Sequence, residues 1–558
     1  MTTTMISNRR FIIALVALML AGANLYAVKT FDVFGLPVLF AASVLGEIIL
    51  IVTAAFYLVM GLAVRENVVK SLAQSAWHGI NGDPNIKRLR RTKSRFLRFL
   101  ARRFETLKPT GLPLTVVLVI AGYFLYHFLG VLLGIVHQGP EVQIDLRVLN
   151  LMPTIRTDLQ TACFMFVTFL ANVESVIYVT LLTAGLLLVR RERLWAAIIV
   201  AAAAATEAIT YILKHLVDRA RPAEALRLLH EQGGSFPSGH VMRATVLFGL
   251  IAYLLFKSSK STFAKLVIVV GYITTVFMVA LSRVYLGVHY PSDVTASALL
   301  GASLLTLVIG GIEIGTRYRL PQFRKLRFEH RQLWAVPVAL AGFALVLGPA
   351  MLHERTLAAP DTTIPVAAID NSTVRRLPLY SETPTGTRME PIGFIYAGSE
   401  AQIVSAFLNH GWFRADASTL SNTLKAVSVG FQGGQYETAP VTPSYLNAKP
   451  ENLAFEKPTE TNSLRQRHHT RIWKTDFALE DGRRIWVATA SYDVGVQLAG
   501  PAKLPTHHID PNIDGERAYI VESLGTAATY IEVVKPQLGK NASGDEFFTD
   551  GRAAIIAF

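Results

Sequence analysis

Apolar residues run together for membrane-spanning lengths along the first two thirds of the chain, and after Leu352 they break into short segments mixed with polar ones. Nine apolar spans can be drawn: Phe11 to Val28, Leu36 to Val64, Leu114 to Val136, Thr161 to Val189, Leu194 to Leu216, Val241 to Phe256, Ala264 to Leu281, Val294 to Ile314 and Trp334 to Leu352. Most can cross roughly 30 Å of hydrocarbon at about 1.5 Å per residue, so they read as membrane helices. The first also has the ingredients of a signal peptide, with Arg9-Arg10 ahead of it and small residues from Ala21 to Ala27. Its removal would leave eight spans without changing the rest of the topology.

The pattern beyond Leu352 is that of a soluble α+β domain behind a linker at Ala358 to Thr363. Ser399 is placed to cap a helix from Glu400 to His410 that Gly411 stops. Arg471 to Leu479 and Arg483 to Tyr492 are rich in strand formers and flank Asp481-Gly482, a hairpin signal. Asp514 reads as the cap of another helix ending near Gly525.

Charge then orients the spans. The loop from Arg65 to Lys108 holds twelve basic residues against three acidic ones, and Arg190, Arg191, Arg193, Lys257, Lys260, Lys265 and the stretch Arg317 to Arg331 fall on the same side. Basic loops mark the cytoplasmic face, so everything after Leu352 is placed on the opposite side, the periplasm in a bacterial inner membrane. The net charge of +14 is thereby a matter of topology and needs no nucleic acid. Phe96, Leu97, Phe99, Leu100, Phe104 and Leu107 among Arg95, Arg98, Arg102 and Arg103 read either as a helix on anionic headgroups or as a solvated helix packed on its own bundle. Composition agrees with a membrane protein: 51% of residues are hydrophobic and 17% charged. The single cysteine, Cys163, falls inside an apolar span, is expected to be buried and inert, and excludes an internal disulfide.

Three polar strings interrupt this apolar frame, each at the end of a span: Lys214 with Arg221-Pro222, Pro237-Ser238-Gly239-His240, and Ser282-Arg283 with His289 and Asp293. Three cations, two imidazoles and a carboxylate suit the cleavage of a phosphate ester, whose transferring phosphoryl group spreads negative charge over its oxygens. Lys214, Arg221 and Arg283 form the expected clamp, with the backbone N–H groups of Ser238 and Gly239 at a helix start aimed at the anion. His289 is assigned as nucleophile because Asp293, four residues on, would hold one ring nitrogen and leave the other free for phosphorus. His240 is then the general acid. Glu207 and Arg243 lie inside spans close to these strings; Glu207 is read as orienting Lys214, and Arg243 as reaching a substrate headgroup or an acid nearby, with a structural ion pair as the alternative. Asp218 and Arg219 are given no role.

These strings resemble the three signature motifs of the type 2 phosphatidic acid phosphatases, relatives of the vanadium haloperoxidases, over roughly residues 113 to 315. The resemblance implies a six-helix membrane core and metal-independent phosphatase chemistry without a cofactor, with the roles above carried by Lys214, Arg221, Ser238, Gly239, His240, Arg283, His289 and Asp293. The chain then divides into two membrane helices (1–64), a basic cytoplasmic loop (65–112), the phosphatase core (113–315), a loop with the ninth helix (316–357) and the α+β domain (358–558). The last domain resembles the LssY-type C-terminal domain through His508-Ile509-Asp510-Pro511-Asn512-Ile513-Asp514. Its histidine pairs His468-His469 and His507-His508, with Asp510, Asp514 and Glu516, match no known metal-ligand spacing and are expected to be ordinary polar residues.

The sequence thus points to a polytopic, mainly α membrane phosphatase acting on a lipid phosphomonoester or diphosphate at the periplasmic face. Undecaprenyl diphosphate is the first choice, ahead of phosphatidylglycerol phosphate, phosphatidic acid and lipid A phosphate. The competing readings are a haloperoxidase-like vanadate enzyme and a non-catalytic, lipid-binding envelope protein. The C-terminal domain is the surface through which an envelope protein partner would bind.

Overall fold

A computed structural model describes chiefly residues 12–21, 45–57, 109–318 and, with short gaps, 363–558. The ninth span, the basic loop and the candidate surface helix at Arg95 to Leu107 fall outside the described residues, apart from Arg103. The first two spans are described only as apolar helices at Ile12–Ala21 and Leu45–Tyr57.

Eight helices follow: α1 (Leu112–Val136), α2 (Pro140–Ile155), α3 (Asp158–Phe169), α4 (Val173–Val189), α5 (Arg193–Val217), α6 (Gly239–Ser258), α7 (Thr262–Tyr285) and α8 (Pro291–Arg317). Among the described residues, α1, α5, α6, α7 and α8 are each long and apolar enough to cross a membrane. The fourth apolar span is not one rod: α3 and α4 meet at 47° around Leu170 to Asn172 and make a sixth crossing if counted together. Helix α2 was not foreseen, because its Asp145, Arg147 and Asn150 break up the apolar run.

Helix starts follow local chemistry. The Thr157 side chain accepts from Gln160 N ahead of α3, and Ser261 accepts from Ala264 N ahead of α7. Pro291 opens α8 in the position where its missing N–H costs nothing. Packing between spans relies on close approach where large residues would not fit: a Cβ at Gly310 would lie 2.5 Å from Val117 of α1, and one at Gly301 2.8 Å from Thr245 of α6. The outer surfaces carry exposed Val119, Tyr126, Leu181, Val189, Leu216 and Phe263, as lipid-facing helices require. Cys163, expected to be buried, is exposed on α3, because apolar surroundings in this part of the chain include the lipid side of the bundle.

The C-terminal domain is built on a nine-stranded mixed sheet. Its central path runs Thr529–Glu532, Arg552–Ala557, Phe394–Ala397, Arg484–Ala499, Gln466–Leu479, Leu453–Ser463 and Phe413–Arg414. The expected hairpin is present, longer than drawn, with Gly482 at φ +89° in its turn. Helices α9 (Glu400–Asn409) and α10 (Ile513–Ser523) cover one face over Phe394, Tyr396, Phe455 and Trp486, with Phe407 of α9 in the same core. Ser399 caps α9 with a capping box through Gln402. Asn512 rather than Asp514 caps α10, while Asp514 turns to Arg517 and Thr549. The opposite face packs Ile395, Trp473, Ile485 and Val487.

Candidate active site

The three polar strings meet at one end of the bundle because α5 and α7 finish there and α6 and α8 begin there. Asp218, at φ 42°, ends α5 in the left-handed conformation and turns Arg219 and Arg221 back toward the bundle. Gly287, at φ +74°, performs the corresponding turn between Arg283 and His289, and its missing side chain admits the Leu226 carbonyl.

All three expected clamp cations grip one segment, Glu231 to Gly234. Lys214 donates to the Gly234 carbonyl. Arg221 donates to Gly233 at 2.9 Å, to Gln232 at 3.2 Å and to Val288 at 2.9 Å. Arg283, fully buried, donates to Thr168 Oγ1 at 2.7 Å and to the Glu231 carboxylate, which also lies 3.5 Å from Arg221. Burial alone would push the Glu231 carboxyl up, but Arg283 and Arg221 outweigh it and hold the group down at about 2. Glu231 is therefore an anion at neutral pH, seated between two arginines.

Around His289 the carboxylate is supported from behind. His289 Nδ1 lies 3.6 Å from Asp293 Oδ2, an ion-pair separation too long for a hydrogen bond, and this nitrogen has no hydrogen-bond partner among the described residues. Asp293 Oδ2 accepts instead from Tyr290 N at 3.0 Å, and Oδ1 accepts from Arg219 at 2.5 Å. Arg219 stacks over the Tyr290 ring at 4.1 Å and gives its other Nη to Asp145 at 2.8 Å. Asp145, 1% exposed, also accepts from the Ser292 backbone at 2.8 Å and from the Ser292 hydroxyl. Burial lowers the His289 imidazole to about 4, with Asp293 opposing that shift and Arg283 and Arg221 adding to it. Burial raises the Asp145 carboxyl, against the hydrogen bonds from Ser292 and Arg219.

His240 sits within electrostatic reach of Arg283, Arg243, His289 and Arg221. Its Nε2 is 2.7 Å from Asn172 Oδ1, and since a carbonyl oxygen only accepts, Nε2 carries the proton. Asn172 is the residue at the α3–α4 bend, so the break in the fourth span delivers this contact. The Ser238 N–H donates to Ser297 Oγ at 2.7 Å and is not turned to an anion as expected, because α8 passes directly behind it. The buried Ser238 hydroxyl has no partner among the described residues. Glu207 reaches Arg243 rather than Lys214, at 2.6 Å and 3.2 Å, and Arg243 also donates to the Ala171 carbonyl and closes over Gly239.

Arg219, Asp145, Glu231 and Asn172 escaped the sequence reading. Arg219 lies two residues before Arg221 in the coil after α5, inside the first string, and Asp145 lies in a stretch too polar to read as a span. The histidines of the C-terminal domain go separate ways: His468 pairs with Glu516 at 2.8 Å, His469 with Ser491 at 2.8 Å, and His508 with Asp545 at 2.7 Å. Among the described residues no cluster of histidine, cysteine and acidic side chains has the arrangement of a metal site.

Two family descriptions match the chain, the PAP2 superfamily over residues 195–313 and the LssY C-terminus over residues 374–553. Phosphatidylglycerophosphatase B of Bacillus subtilis is 42% identical over 110 residues, 19% of this chain and 53% of that protein. The decaprenylphosphoryl-5-phosphoribose phosphatase of Mycobacterium tuberculosis is 36% identical over 137 residues, 23% of this chain and 69% of that protein. The chain thus spans about half the length of the first of these relatives. A crystal structure of a transmembrane PAP2-type phosphatidylglycerolphosphate phosphatase from Bacillus subtilis aligns with 37% of this chain and 99% of its own, at 27% identity and a TM-score of 0.31.

Proposed function

The chain belongs to the PAP2 superfamily, with an LssY C-terminus behind its membrane bundle, and from that premise we propose that it is a lipid-phosphate phosphatase working through a phosphohistidine. The observation that carries the reading is the convergence of Lys214, Arg221 and Arg283 beside the His289–Asp293 pair and His240. The incoming phosphate takes over the donors that Glu231 to Gly234 now occupy, and the three cations neutralise the charge that builds up in transfer. That charge supply is the basis for reading the reaction as metal-independent.

His289 Nε2, on the ring edge away from Asp293, forms the bond to phosphorus. The bond from phosphorus to the lipid or bridging oxygen breaks, its electron pair stays on that oxygen, and His240 supplies the proton. Water then attacks the phosphohistidine while His240 takes the water's proton, the N–P bond breaks, and inorganic phosphate leaves. Burial keeps the His289 imidazole neutral at physiological pH, which a nucleophile requires. Asp293 stabilises the cationic ring that forms on attack.

Arg190, Arg191 and Lys260 lie in the turns, and Lys257 and Lys265 in the adjoining helix ends, at the end of the bundle away from the site. By the positive-inside rule the site faces the periplasm of a bacterial inner membrane. A lipid phosphomonoester or diphosphate is the substrate class, with undecaprenyl diphosphate first and phosphatidylglycerol phosphate, phosphatidic acid or lipid A phosphate after it. The similarity to phosphatidylglycerophosphatase B makes phosphatidylglycerol phosphate the second choice. Phosphate release from each lipid by the purified chain, with EDTA present and beside His289→Ala, tests the reading; release that the substitution abolishes supports it, and no release from any of them rejects it.

A further inference from the structure

Helix α2 lies between the catalytic end of the bundle and the C-terminal domain, and each of its sides is tied. On one side Arg147, 4% exposed, forms an ion pair with Glu382 of the C-terminal domain at 2.6 Å. The turn carrying Gly386 closes on the same guanidinium so tightly that a Cβ there would lie 2.8 Å from it. One turn along, Asn150 donates to the Ala448 carbonyl at 2.8 Å. Asn447 and Ala448, at φ 48° and 62°, are the two central residues of the tight hairpin that joins Tyr445–Leu446 to Lys449–Pro450, so the carbonyl that Asn150 reaches sits on a short, defined turn.

Two residues before Arg147, and so roughly 200° round the helix, Asp145 faces the catalytic end. It holds the first turn of α8 through Ser292 and holds Arg219, which in turn holds the Asp293 carboxylate behind His289. A continuous series of charged and hydrogen-bonded contacts therefore runs from the partly exposed Glu382 through the buried Arg147, α2 and the buried Asp145 to Arg219 and the buried Asp293. Links of this kind transmit position, because breaking one at Arg147, Asp145 or Asp293 leaves a buried charge without its partner.

We propose that the C-terminal domain is a positioning element for the phosphatase: by clamping α2 it sets the orientation of the Asp293 carboxylate and hence of the His289 imidazole. This rests on the reading of His289 as nucleophile. Arg147, Asn150 and Glu382 are positioning residues, remote from the reacting atoms, and Asp145 and Arg219 are the links between them and the pair.

The test uses the full chain in detergent with Glu382→Ala, Asn150→Ala and the swap Arg147→Glu with Glu382→Arg. Each single substitution is expected to lower kcat about tenfold with KM within about twofold, and the swap to recover at least half of the activity. Hydrogen exchange, which needs no substrate, is expected to rise at residues 140–155 and 286–294 while the other spans stay unchanged. Unchanged kcat and unchanged exchange in the single variants would overturn the proposal, as would an increase spread evenly through the bundle. If the unsubstituted chain released no phosphate from any lipid, the phosphatase reading would fall, and the exchange result would still decide the coupling.

Discussion

Glu231 presents its carboxylate to the fully buried Arg283 and lies 3.5 Å from Arg221, so that a side chain of the protein itself sits where two of the three expected clamp cations converge on an anion. In the absence of substrate this contact neutralises a buried guanidinium, which would otherwise be costly. With substrate it is a competitor.

Replacing Glu231 by glutamine separates those two effects. Glu231→Gln is expected to lower KM for the lipid phosphate severalfold and to strengthen inhibition by inorganic phosphate, while lowering Tm because Arg283 loses its charge partner. Steady-state kinetics beside a thermal melt reads both. A raised KM would mean that Glu231 helps to bind substrate.

The pH dependence follows from His289. In the proposed mechanism its neutral form attacks phosphorus, and burial puts its titration at about 4, below the usual imidazole range. Above that value the nucleophile is ready; as pH falls through it the ring takes up a proton and kcat/KM falls tenfold per unit. The acid limb of kcat/KM is therefore expected near 4 and not between 6 and 7. Replacing Arg221 by glutamine removes a cation that opposes protonation, and should move that limb upward.

Arg219 holds the Asp293 carboxylate from the side opposite His289. Arg219→Gln is expected to reduce kcat by about tenfold or more with little change in KM, since it disturbs the imidazole's orientation and leaves the phosphate cations in place. Arg219→Lys should recover only part of the loss, because one ammonium group cannot span Asp145 and Asp293 as the planar fork does.

Asn172 lies in hydrogen-bond contact with His240 Nε2 and so orients the imidazole. Asn172→Ala is expected to slow hydrolysis of a lipid monoester more than that of a lipid diphosphate. The alkoxide leaving group of a monoester needs the proton more than a phosphate leaving group does. Comparing kcat for phosphatidic acid and undecaprenyl diphosphate in that variant measures the difference.

Gly287 supplies a test on the fold. Its φ of +74° is open to glycine, and a Cβ there would lie 2.1 Å from the Leu226 carbonyl. Gly287→Ala should cost about 2 kcal/mol or more and lower Tm, displacing His289 with the turn.

Much of this was legible in the chain. Apolar length alone located α1, α5, α6, α7 and α8 to within a few residues, because membrane helices must satisfy their backbone internally and so run as unbroken apolar stretches. The three strings stood out because they join cations to histidines and a carboxylate at span ends, where a lone lysine or arginine is ordinary. What stayed hidden depends on contacts across the chain. Helix α2 carries its polar residues on two sides, one toward α8 and one toward a domain more than two hundred residues away, so it has no apolar signature. The bend at Asn172 falls inside a long hydropathic run, where its local sign is small: Asn172 at the helix start with Glu174 in the first turn. Glu207 was matched with Lys214 on helical spacing, and the structure gives it to Arg243, which approaches from another helix and which no spacing within α5 reveals. Ser238 was read as an anion donor from its place at a helix start, while the neighbouring α8 had already taken its N–H.

The central claim is a covalent bond between phosphorus and His289. The direct measurement is a rapid acid-free quench of the purified chain turning over undecaprenyl diphosphate labelled in its terminal phosphate, followed by peptide mapping under alkaline conditions that preserve phosphohistidine. Label is expected on the peptide containing His289, absent from His289→Ala, and held longer in His240→Ala because the water that releases it lacks its base. Phosphate release with no label on that peptide, or with label on another residue, would contradict it.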